Sequence, residues 1–278
     1  MQKERTTTAF TLMELLIVVA IISLLVSIMQ PGLQRAKELA RKAVCSSNIR
    51  HLAISNILYS ENNDEYYIRA AEDLWGMNKK RWHGQRKNTS KPFDAALSPL
   101  IDYMGGSGLK KCPGFTAGDD YDDTAGVSAG FEAGCGGYGY NGTYIGARYD
   151  KYGMGPLATQ NSASASDIVQ PSQTVMFADC AYVTAIGGGN CKIAYSFCET
   201  PTWETGPDNS SLPTKPDPTI DFRHIGQVNV AWMDSHVSGE QMTFTLDYQS
   251  HSYITSDEAE NYGIGWFGPQ DNELFDLK

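Results

Sequence analysis

Residues 10–29, FTLMELLIVVAIISLLVSIM, constrain this chain more than any other stretch, because sixteen of the twenty are apolar. At about 1.5 Å per residue a helix of this length spans roughly 30 Å, the thickness of a bilayer hydrocarbon core. A transmembrane helix over residues 10–30 is therefore the first expectation. The exceptions are Thr11, Glu14, Ser23 and Ser27. Glu14 stands out, because a carboxylate inside an apolar helix is costly and by default marks function. A secretory signal peptide would need a short apolar stretch and a small-x-small cleavage site. Here the run is long and leads through Met29-Gln30-Pro31-Gly32 into more helix. An uncut single-pass anchor fits the length but leaves Glu14 without a role.

The helical pattern continues over residues 31–64. Cys45, Ile49, Leu52, Ala53, Asn56 and Ile57 recur at spacings of three and four and form a mostly apolar face. Arg35, Lys37, Arg41, Lys42 and Arg50 mostly avoid it. Pro31 and Gly32 should kink or loosen the helix, and Glu61-Asn62-Asn63-Asp64 should end it. Residues 65–278 then read as a β-rich head, with short apolar runs between Gly, Pro, Asn and Asp clusters. Thr174–Ala178 reads as a strand. Gln227–Met233 alternates, with Val228, Val230 and Trp232 on one face, and Asp234-Ser235 turns it into His236-Val237-Ser238 as a hairpin. Glu199–Pro218 reads as a long proline-rich surface loop.

The 278 residues are 41% hydrophobic and 19% charged, which excludes wholesale disorder. Net charge is −10, but residues 1–60 carry +4, so the remainder carries −14. An acidic head argues against nucleic acid as a partner, because phosphate needs a basic surface. The basic run Lys79–Lys87 with Trp82 inside it could grip a strand and stack a base. A solvated loop or a patch facing an acidic neighbour is the simpler reading.

Cys45, Cys112, Cys135, Cys180, Cys191 and Cys198 form no C-x-x-C pair, and an even set after an export-like start points to disulfides. Cys180 and Cys191 flank a glycine-rich loop and suit a bridge across a hairpin. Cys112 and Cys135 bracket the acidic loop and suit a second. Cys45 and Cys198 remain as a third pair or as buried thiols.

The stretch Ala9-Phe10-Thr11-Leu12-Met13-Glu14-Leu15-Leu16 resembles the processing site of type IV pilins and type II secretion pseudopilins. The resemblance implies that a leader of residues 1–9 is cut before Phe10, whose new amino group is then methylated. Glu14 matches the family's fifth mature residue and Pro31 its twenty-second. Ala9 stands where the family usually has Gly. The head resembles a bacterial prepilin-like family named for a His-X9-Asp-Gly motif, here His224, nine residues, then Asp234-Ser235, within a region of about 171–240. Ser235 replaces the usual Gly. Together these imply an α+β, pilin-like fold in which a long N-terminal helix packs on an antiparallel β head with long loops. The implied partners are other pilin-like subunits, a prepilin peptidase, an inner-membrane assembly platform and membrane lipid. The implied location is the bacterial inner membrane, single-pass with the head outside the cytoplasm, and then a filament or the cell surface. Lys3 and Arg5 against Arg35, Lys37, Arg41 and Lys42 favour the opposite orientation by charge alone.

For chemistry, His224, Asp234 and His236 could converge on Zn²⁺, but a packed histidine and a turn-forming aspartate are the simpler reading. Asp119, Asp120, Asp122 and Asp123 could hold Ca²⁺ as a cofactor, although without EF-hand spacing. No nucleophile elbow or P-loop occurs. The expectation is a non-enzymatic filament subunit. The alternative is a cell-surface binding module that uses the prepilin signal only as an anchor.

Overall fold

The computed structural model describes residues 10–89, 91–106, 108–115, 134–186, 189–202, 216–246 and 254–278. Ala9 with the rest of the leader, the four aspartates at 119, 120, 122 and 123, and most of the 199–218 loop lie outside the described residues. The chain divides into two compact units, residues 1–40 and 41–278.

Helix α1 spans Leu12–Glu61, so its first part belongs to one unit and its last part to the other. In the first unit its large apolar side chains are exposed, from Leu12 to Leu39. This helix is long and apolar enough to cross a membrane. Its hydroxyls suit such a setting: Ser23 Oγ donates to the Val19 carbonyl and Ser27 Oγ to that of Leu24. Neither therefore leaves an unmet polar group among apolar side chains. The helix continues through Pro31 and Gly32, where the sequence predicts a kink or loosening. Proline removes one N–H and crowds one carbonyl, and a long helix can absorb that locally. Helix α1 ends where the polar run begins, with Asp64 and Glu65 in left-handed backbone conformations.

The second unit is α+β. After α1 come β1 (Lys80–Arg81), β2 (Gly84–Gln85), β3 (Tyr138–Tyr140), α2 (Tyr149–Tyr152), α3 (Pro156–Thr159), β4 (Val175–Asp179), β5 (Ala181–Ile186) and β6 (Gly189–Ala194). They are followed by β7 (Ile220–Asp221), β8 (Gln227–Trp232), β9 (Val237–Gln241), α4 (Ser256–Tyr262) and β10 (Ile264–Gly265). The central sheet is antiparallel in the order β3-β4-β8-β9, and β5–β6 is a separate hairpin. The expected hairpin at Asp234-Ser235 is the β8–β9 turn, with Ala231 opposite Val237.

β4 is buried along its whole length, and β8 is buried on both faces, not only at Val228, Val230 and Trp232. The helix face read from the sequence supplies one cover: Cys45, Ile49, Leu52, Ala53 and Asn56 are all buried. Its polar members bind the sheet directly. Asn48 Nδ2 donates to the Tyr138 hydroxyl and Asn56 Nδ2 to that of Tyr140, while Asn56 Oδ1 accepts from the Ile68 N–H. Burial pushes both phenols up, so they act as neutral hydrogen-bonding groups. Below them Tyr140 stacks on Phe177 at 4.7 Å, and Trp82 meets Phe177 edge-on at 5.1 Å. On the opposite sheet face Gly139 is pressed so close that a Cβ would lie 2.5 Å from Cys180 Sγ and 2.7 Å from the Phe197 carbonyl carbon.

The cysteines pair otherwise than expected. The bridge is Cys45–Cys112, while Cys135, Cys180, Cys191 and Cys198 are buried outside any disulfide. The β5–β6 register sets Thr184 opposite Cys191. Cys180 therefore lies four residues further along, roughly 13 Å away, beyond disulfide reach. Cys112 does neighbour the Cys135 turn, its N–H donating to the Gly136 carbonyl at 2.9 Å, but its sulfur faces the helix. Cys198 meets Cys180 instead of Cys45, and burial first, then that neighbouring thiol, pushes the Cys180 thiol well up.

Candidate functional site

At the start of α1, Thr11 and Glu14 form a reciprocal cap. The Thr11 N–H and Oγ donate to Glu14 Oε2 at 2.9 and 2.8 Å, and the Glu14 N–H donates to Thr11 Oγ at 3.2 Å. This capping box satisfies two backbone donors at a helix start. It gives Glu14 a local role that the reading of its charge overlooked, although Thr-x-x-Glu was visible in the sequence. Thr255 and Glu258 repeat the device at α4. Phe10 is exposed beside the first box, and Pro31 lies inside α1.

The His-X9-Asp-Ser motif is split by β8. His224 precedes the strand and Asp234 follows it, and six residues of strand separate them by roughly 20 Å. His224, Asp234 and His236 therefore do not converge on one ion. Asp234 serves the turn: its Oδ1 accepts from the His236 N–H at 3.1 Å and lies 2.6 Å from His236 Nδ1. The His236 ring stacks on Trp232 at 5.6 Å.

Ser235 has φ of +71°, a left-handed conformation that glycine adopts more cheaply. Ser235→Gly is expected to stabilise the head by about 1 kcal/mol. In a unit of this size that is a rise of roughly 2–4 °C in melting temperature. A calorimetric scan showing no rise, or a fall, would contradict this account of the turn.

His224 is fully buried at the other end of β8. Its Nε2 lies 3.3 Å from Asp179 Oδ2 and 3.5 Å from Cys112 Sγ. Asp179, the last residue of β4, is held through Oδ2, which accepts from the Asn229 N–H at 2.9 Å and Nδ2 at 3.0 Å. Beside this cluster Arg223 Nε approaches Asp221 Oδ2 at 2.9 Å, without the N–H pointing at the oxygen, and Lys192 Nζ lies 3.2 Å from Asp221 Oδ1. The sequence reading found His224 but missed Asp179, Asn229 and the bridge beside it. A charge ending an apolar strand was the available signal for Asp179. No spacing rule links it to residues 45, 112 and 224.

The basic segment does not expose its aromatic residue. Trp82 is buried with its Nε1–H donating to the Ser196 carbonyl at 2.7 Å, so it cannot stack on a base. The guanidinium groups of Arg81 and Arg86 sit 5.2 and 4.3 Å from the centre of the Phe93 ring, and Lys80 pairs with Glu72. A cavity of about 210 Å³ is lined by Trp75, Tyr149, Tyr195, Phe197 and Glu199 among others. The Tyr149 phenol there is pushed up to about 12 by burial and by the Glu199 charge. The Tyr195 hydroxyl donates to Glu199 Oε1 at 3.2 Å.

Comparison of the chain with protein-family models, curated proteins and solved structures finds no match in any of the three.

Proposed function

We propose that the chain is a pilin-like or pseudopilin-like subunit, itself the substrate of a prepilin peptidase and not an enzyme. In this reading the peptidase cuts between Ala9 and Phe10, and residues 10–30 anchor the chain once in the bacterial inner membrane, with the head outside the cytoplasm. An assembly platform then stacks copies of it, or related subunits, into a type IV pilus or a type II secretion-like filament. One observation carries the reading: a single helix, Leu12–Glu61, is apolar and exposed at its start and buries one face against a β head at its end. Lipid covers an apolar helix before assembly, and neighbouring helices would cover it afterwards.

The test is intact mass together with microscopy. Protein from its native membrane should lack residues 1–9 and carry a methyl group on Phe10, and deleting the gene should remove or shorten surface filaments. A mature chain starting at Met1 overturns the processing step. Correct processing with filaments unchanged favours the second reading, an anchored binding module, for which the aromatic cavity around Trp75 and Tyr149 is the supporting observation.

A further inference from the structure

Four buried side chains from distant parts of the chain meet at one point. Cys45 Sγ, Cys112 Sγ, a carboxylate oxygen of Asp179 and an imidazole nitrogen of His224 all lie within 4.8 Å of one another. The residues come from α1, from the connection between β2 and β3, from the end of β4 and from the turn before β8. Two sulfurs, one imidazole and one carboxylate are a donor set that suits zinc and does not suit calcium or magnesium, which take oxygen.

Tetrahedral zinc has bonds of about 2.3 Å to sulfur, 2.0–2.1 Å to nitrogen and 2.0–2.2 Å to oxygen. Such a tetrahedron has edges of about 3.4 Å from nitrogen to oxygen, 3.6 Å from nitrogen to sulfur and 3.8 Å from sulfur to sulfur. His224 Nε2 is already 3.3 Å from Asp179 Oδ2 and 3.5 Å from Cys112 Sγ. Those are two zinc edges in place.

Supporting hydrogen bonds hold the Asp179 ligand as a metal site requires, while His224 Nδ1 makes none among the described residues. Asn229 fixes the Asp179 carboxylate through two hydrogen bonds to Oδ2, and Oδ1 makes none among the described residues. Gly114 lets the backbone close over the imidazole, where a Cβ would stand 2.6 Å from His224 Cε1.

We propose that Cys45, Cys112, Asp179 and His224 form a Zn²⁺ site whenever the Cys45–Cys112 bond is reduced, so that the bond and the metal are alternative closures of one buried point. A dithiol reductant transfers two electrons and two protons to the bridge, giving two thiols and its own disulfide. Zn²⁺ then binds both sulfurs as thiolates and displaces two protons. The thiol–disulfide balance of the surroundings selects the closure.

The experiment uses the full chain in detergent, oxidised or reduced with a phosphine, which takes its oxygen from water and leaves two thiols. After incubation with Zn²⁺ and gel filtration, metal content by mass spectrometry should be one per reduced chain and near zero per oxidised chain. Co²⁺ in place of Zn²⁺ should give a thiolate-to-metal charge-transfer band in the reduced form alone. Asp179→Asn keeps the shape of the site and should weaken Zn²⁺ binding at least tenfold, as should His224→Ala. The disulfide form of each variant reports whether it folds. A reduced wild-type chain that retains native near-ultraviolet dichroism yet takes up no Zn²⁺ overturns the proposal. So does one that stays unfolded in saturating Zn²⁺, or equal metal in the oxidised form or in a folded variant.

Discussion

Removing the Cys45–Cys112 bond in metal-free solution is expected to cost the head roughly 4 kcal/mol. The bridge spans a sequence separation of 67 residues. The chain-entropy model assigns closure of a loop that size about 4 kcal/mol of denatured-state entropy. Typical domains have only about 5–15 kcal/mol in all, so this is the largest single covalent contribution in the second unit. The enthalpic side is also unfavourable, because Cys45 and Cys112 are fully or almost fully buried among core side chains. Cys45→Ala/Cys112→Ala removes the bond together with two buried sulfurs, so the void they leave adds to the loss. Urea unfolding of the full chain with a chelator present, followed by tryptophan fluorescence, should give a lower midpoint and a steeper slope, because the denatured chain without the crosslink is less compact. The melting temperature should fall by roughly 10 °C. A loss under about 1 kcal/mol would mean that the denatured chain keeps the loop closed by residual contacts even without the bond.

Helix α1 was legible because its cause is local. A run of apolar residues followed by a three-and-four spacing dictates both its length and the face it buries, and Cys45, Ile49, Leu52 and Ala53 lie where that spacing puts them. The β8–β9 hairpin was legible for the same reason, since Asp234-Ser235 interrupts an alternating run. What was not legible is whatever depends on register between distant segments. The disulfide follows from α1 lying over the sheet so that Cys45 meets the turn at Cys112, and no residue near either cysteine announces this. The Cys180–Cys191 expectation failed on a register offset of four residues within one hairpin. The alternation along β8 separates two faces without saying that both are buried, and Asn229 is buried where its two donors meet Asp179 on the adjacent strand. A polar residue inside a strand thus pointed to a buried partner and not to water.

Glu14→Gln is expected to abolish assembly almost as fully as Glu14→Ala, and the comparison decides between two roles for one carboxylate. The first role is the cap: Oε2 accepts from the Thr11 N–H and hydroxyl. A glutamine amide oxygen can accept the same two bonds, so Gln preserves the cap, whereas Ala loses it at a cost of about 1 kcal/mol. The second role is charge. In the filament reading, cleavage gives Phe10 a positive amino group, and a neighbouring subunit's amino group meets Glu14 away from water. Removing one partner of a buried ion pair costs about 3–5 kcal/mol, because the other charge is left uncompensated. That corresponds to a fall of more than about a hundredfold in the association constant, and Gln incurs it as fully as Ala. Glu14 lies in the first unit and belongs to no part of the head core, so the thermal melt of the head should be the same in all three proteins. The readout is the subunit recovered in sheared filaments relative to membranes. Loss with both substitutions supports charge pairing. Loss with Ala alone assigns Glu14 to the cap, and normal incorporation of both removes it from assembly altogether.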